Sequence, residues 1–261
     1  MLPSTTPRIR PISIQSALAY FGGYGLLTFI GFHIIYPLLP QMGLSEADSL
    51  VLVLTIPLAL MLVPPLVLYQ RSGEPMTLAA IRAYIRFPAI ERSDFAWALL
   101  IFVVAILGSS LVGGITQHLI ARGLMPMPDN IPLLFDPRGA LFDPASWDAF
   151  VGGTIRGNWR ALFLYFLMLF FNIVGEEVLW RGYILPRQEQ QHGRWAWLIH
   201  GLMWCGFHFF KWWDLLNLLP ICLIIAYVSQ RTGRNWPAFI AHYAINGIGF
   251  LLALALVVGW L

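Results

Sequence analysis

Seven apolar runs divide the chain, at residues 16–39, 50–69, 95–120, 160–180, 195–210, 215–228 and 236–260. A helix crosses about 30 Å of hydrocarbon with roughly 17 to 25 apolar residues, and only the sixth run is markedly short of that. The pattern predicts about seven transmembrane helices in a single integral membrane domain covering 1–261. Two more polar stretches interrupt it. In 71–94, Leu78, Ile81, Ile85 and Ile90 recur at near-helical spacing beside Arg82, Arg86 and Arg92, which predicts a helix lying on the membrane surface. The 122–158 stretch carries Leu134-Phe135-Asp136-Pro137 and, seven residues on, Leu141-Phe142-Asp143-Pro144. Aspartate before proline initiates turns more often than it binds calcium, so the expectation is a turn-rich lid or interfacial hairpin.

Composition supports the same picture: 58% of residues are hydrophobic and 11% charged, against about 25% charged in soluble domains. The fold class expected is all-α, a polytopic membrane helix bundle. The first run follows Arg8 and Arg10 as a secretory signal would. Its apolar region is longer than the roughly 7 to 15 residues of a signal core, so an uncleaved helix is expected. With the N-terminus cytoplasmic, Arg8, Arg10, Arg71, Arg82, Arg86, Arg92, Arg187, Arg194, Arg231 and Arg234 all fall on the cytoplasmic side, as the positive-inside rule requires. The pI near 9.0 then reflects topology and anionic lipid, and no basic run points to nucleic acid. Cys205 and Cys222 lie inside predicted spans, where packing is their ordinary role.

Charges inside a membrane are costly and mark function by default. The fourth run ends in Gly175-Glu176-Glu177-Val178-Leu179-Trp180-Arg181-Gly182. Glu177 and Arg181 stand at i and i+4 with the acid first, the favourable order for an ion pair, while Glu176 points about 100° away. A neutral clamp of Glu177 with Arg181 would leave Glu176 for chemistry. A purely structural cluster joining two helices is the alternative. Trp204 and His208 follow one turn apart, then His242 and Asn246. At 1.5 Å per residue, Glu176 lies about 16 Å from Arg187, His208 about 21 Å from Arg194, and His242 about 12 Å from Arg234, so the three sets can meet near mid-membrane.

Glu-Glu-x-x-x-Arg at Glu176, Glu177 and Arg181, aromatic-x-x-x-His at Trp204 and His208, and His-x-x-x-Asn at His242 and Asn246 together resemble the CAAX protease and bacteriocin-processing family. These are glutamate-dependent intramembrane endopeptidases, also called Abi. The match occupies about 160–250 and keeps the family's motif order, with Trp204 where the family usually has phenylalanine. The resemblance implies that Glu176 and His208 activate a water, that His242 and Asn246 hold the oxyanion, and that Glu177, Arg181 and Trp204 support the site. Amide hydrolysis needs such a base and such donors. A zinc site of Glu176, His208 and His242 is the alternative. The chain lacks His-Glu-x-x-His, and the resemblance favours a mechanism without metal or other cofactor. A thiol enzyme built on Cys205 and His208, a proton-coupled transporter and a non-catalytic immunity or scaffold protein are the competing readings. The expected partners are the bilayer and a membrane-bound or lipid-anchored protein or peptide substrate, and the expected location is a bacterial inner (plasma) membrane.

Overall fold

The computed structural model describes residues 10–261, so Arg8 lies outside the described residues. The described chain is helical without β strands. Helix α1 (Ile14–Ile30) continues through a π-helical turn (Gly31–Ile35) into short 3₁₀ turns. Helices α2 (Glu46–Leu60) and α3 (Val63–Arg71) follow, then α4 (Leu78–Tyr84), α5 (Arg92–Ala121) and α6 (Pro144–Val151). Helix α7 (Trp159–Glu176) runs through a π-helical segment (Glu177–Ile184) into α8 (Leu185–His192). After α9 (Ala196–Phe207) comes a 3₁₀ segment (His208–Asp214), then α10 (Leu215–Thr232) and α11 (Trp236–Val258). Five helical stretches have the length and apolarity to cross a membrane, and one of them, Trp159–Thr232, folds back on itself through α7 to α10.

Local chemistry sets most boundaries. Ser13, Ser45 and Asn158 cap α1, α2 and α7 by accepting backbone N–H groups, and Glu91 with Asp94 forms a capping box on α5. The break between α2 and α3 lies just before Pro64-Pro65. Pro64 has no N–H for the carbonyl of Leu60. The Tyr24 hydroxyl donates to that carbonyl instead, at 2.9 Å, satisfying the backbone where no water is available.

Helix α7 packs between α2 and α11, α9 packs against α1 and α10, and α5 lies along α10 and α11. The polarity of the bundle is that of a protein dissolved in lipid. Leu107 and Leu111 on α5 are 65% and 79% exposed, while Glu176, Glu177, Arg181, His200, His208 and His242 are buried. Together with the long apolar helices this defines an integral membrane protein.

Segments rich in arginine gather at one end. Arg86 pairs with Glu189 at 2.6 Å, Arg187 donates to the Tyr84 hydroxyl, and Arg234 bridges Glu91 and Asp94. At the other end Arg160 pairs with Asp48.

The structure corrects the expected elements in three places. The 71–94 stretch is not one surface helix: α4 spans seven residues, and Ile81 and Ile85 pack on the core. Pro88 disfavours a helical Phe87, Arg86 takes a left-handed φ of 61°, and Arg82 donates to the carbonyls of Phe87 and Pro88. The fifth run stops being α-helical at Phe207. The sixth is longer than its apolar pattern, because Ser229 to Thr232 extend α10 by a polar last turn.

Candidate functional site

Gly175 lets α7 approach α2: a Cβ there would collide with the backbone carbonyl of Leu58. That contact sets the depth at which the next two residues enter the bundle. From Glu177 the helix widens to the π form, and the N–H of Leu185 bonds back to Trp180. Pro186 cannot supply the ordinary donor to the Gly182 carbonyl, which favours such a change of register. Every side chain from Glu177 to Ile184 is buried.

Glu177 accepts from Nε and Nη2 of Arg181, and also contacts His242 Nδ1 at 2.8 Å. The Arg181 guanidinium lies 3.9 Å over the Trp204 ring. Asn235 Nδ2 donates to the Glu177 carbonyl, tying the start of α11 to the same turn. The clamp read from the i,i+4 spacing is therefore present, with a third ionisable member from α11.

Glu176 faces a different set of groups. Its Oε2 accepts the Trp204 indole N–H at 2.5 Å, and its Oε1 accepts Asn172 Nδ2 at 2.6 Å. Asn172 Oδ1 in turn accepts Asn246 Nδ2 at 2.8 Å. His208 closes α9 and contacts the Trp204 carbonyl through Nδ1 at 2.9 Å. That bond requires the proton on Nδ1 and leaves Nε2 as an acceptor. Glu176, Trp204, His208, His242 and Asn246 line one cavity of about 430 Å³, so the structure brings the expected residues together across α7, α9 and α11. Asn172 was not anticipated. Its signal was present as a polar residue one helical turn before Glu176 in an otherwise apolar run.

The 122–158 stretch covers the cavity, contributing Leu134, Phe135, Asp136, Pro137, Leu141 and Trp147 to its lining. Its aspartates act in turns and caps. Asp143 caps α6. Arg138 engages Asp136 through its side chain and backbone N–H, holding that carboxyl below the usual carboxylate range. Helices of the first half also line the cavity, through Thr28, Leu54, Leu58 and Thr116.

Among the described residues no three His, Cys, Asp or Glu side chains are grouped as a metal ion would need. Glu176, His208 and His242 thus do not form a ligand cluster, and both Glu176 oxygens already accept N–H donors. The Cys205 thiol contacts the Leu215 carbonyl at 3.4 Å, whereas His208 Nδ1 is directed to Trp204.

A buried carboxylate and histidine set in a lidded cavity of a helical membrane bundle is the form of an intramembrane site. Residues 158–248 match the family model described as Rce1-like, type II CAAX prenyl endopeptidase Rce1-like. That segment contains all three motifs and is similar over this range to a protease family within the CAAX protease and bacteriocin-processing group. Searches of curated proteins and of solved structures give no significant match.

Proposed function

We propose that this protein is an intramembrane endopeptidase that hydrolyses a peptide bond in a membrane-bound or lipid-anchored protein or peptide, with Glu176 and His208 activating water. The observation that carries the reading is the shared cavity, in which a buried, doubly hydrogen-bonded Glu176 meets His208, His242 and Asn246. His208 has Nε2 free to accept a proton, and each Glu176 oxygen retains a lone pair beside the one its donor occupies. Water is deprotonated as it attacks the scissile carbonyl, and the proton is then delivered to the leaving amine.

The oxyanion falls to Asn246 and His242. Asn246 uses one amide N–H on Asn172 and has a second to donate. His242 directs Nδ1–H to Glu177, so its Nε2 donates only in the imidazolium form. A dry cavity strengthens each of these interactions. The mechanism proposed uses no metal. We also place the arginine-rich end, and with it the N-terminus, on the cytoplasmic face of a bacterial inner membrane, because basic segments are retained there.

The deciding experiment is terminal-labelling mass spectrometry on host membranes expressing wild type or Glu176→Gln at equal levels. New peptide termini found only with wild type are expected and would name the substrate. Identical termini from both, with the substrate present, would overturn the reading.

A further inference from the structure

The cavity has a second polar end, which the three motifs do not include. Lys211, Asp214, Asn217 and Thr116 line it, and Lys211 is the only lysine in the chain. It stands three residues after His208, where the 3₁₀ segment breaks with φ −127° and ψ 61°. Three bonds hold this segment against its neighbours. His33 Nε2 contacts the Phe210 carbonyl at 2.7 Å, Trp212 donates to Pro126, and Trp213 donates to Phe135. The Lys211 side chain is 12% exposed.

The surroundings of the ammonium are fixed by a chain of hydrogen bonds. Lys211 Nζ donates to Asp214 Oδ2 at 3.1 Å, Asn217 Nδ2 donates to Asp214 Oδ1 at 3.1 Å, and the Thr116 hydroxyl donates to Asn217 Oδ1 at 3.3 Å. Asp214 thereby has a partner on each oxygen. An ammonium has three N–H donors, and one is used here. Asp136, the other acid lining this end, is engaged by Arg138. A charge largely buried in the wall of a membrane protein's cavity marks a binding position by default, and an ammonium with donors to spare takes an anion.

We propose that Lys211 binds a carboxylate of the peptide substrate, with the Asp214–Asn217–Thr116 chain as the positioning residues that aim it. The inference rests on the endopeptidase reading. Within a peptide the carboxylate comes from the free C-terminus or from an acidic side chain. A C-terminal source would make the protein measure the scissile bond from the chain end.

The test measures binding to the Glu176→Gln protein in lipid nanodiscs, using fluorescein-labelled farnesyl peptides and anisotropy. One pair of peptides differs only in ending as a free carboxylate or an amide, and a second pair differs only in an Asp or Asn before the C-terminus. One carboxylate peptide is expected to bind about ten- to a hundredfold more tightly than its neutral twin, as a charge-assisted hydrogen bond requires. The pair that discriminates identifies the source. Adding Lys211→Met should erase the discrimination, and Lys211→Arg should retain most of it, both with unchanged melting. Equal binding within both pairs, or discrimination that survives Lys211→Met, would overturn the inference and leave the endopeptidase reading intact. No binding of any peptide would overturn the inference, while the endopeptidase reading stands or falls on the terminal-labelling comparison.

Discussion

Trp204 differs from the family's phenylalanine by an indole N–H, and that group donates to Glu176 at 2.5 Å. On the proposed mechanism it orients the base. Trp204→Phe should retain the ring over which Arg181 lies and lose the bond, lowering kcat about tenfold or more with little change in KM, since hydrogen bonds to charged groups contribute about 1.5–3 kcal/mol. Peptide cleavage by the purified variant checks this, and unchanged kcat would make the bond incidental. Chelation with a zinc-selective chelator should leave activity unchanged. Loss of activity restored by zinc alone would require a metal mechanism. At this scale the sequence was informative because ionisable residues stand out sharply in apolar runs: Glu176, His208 and His242 could be singled out by type. Asn172 could not, since a neutral amide in a span is common glue between helices, and its role depends on meeting Asn246 from α11.

Helices were legible from apolar runs and caps, but their register and endings depend on neighbours. The widening from Glu177 to Ile184 has a local cause in Pro186, yet it is the packing of this stretch, buried along its whole length, that holds it. Gly175 is the corresponding contact on α7. Gly175→Ala should push α7 off the Leu58 carbonyl, destabilising the protein by about 1–3 kcal/mol as overpacking does, and reducing activity by displacing Glu176. Thermal unfolding in detergent alongside cleavage measures both, and an unchanged melting temperature would show that the helices separate freely. The 71–94 stretch misled for a related reason. Its periodicity was helical, while Pro88 and the left-handed Arg86 stop the helix early and Arg86 is used in an ion pair with α8.

For the whole molecule, the arginines expected on one side include Arg86, Arg187 and Arg234, and each is bonded at the same end of the bundle. Placing that end in the cytoplasm predicts that a cysteine introduced as Ser72→Cys resists a membrane-impermeant maleimide in intact spheroplasts, while Gly153→Cys reacts. The reverse pattern would invert the topology. Residue types and their order along the chain were enough to determine a membrane-embedded helical protein and the likeness to a protease family, because apolar length and intramembrane charge are properties of single segments. Only the tertiary structure decided that Trp204 holds Glu176, that Asn246 meets Asn172, that the 122–158 stretch roofs the cavity, and that Lys211 shares it. Those contacts join residues tens of positions apart, and their distances are set by how the helices cross and where they break rather than by any pattern along one of them.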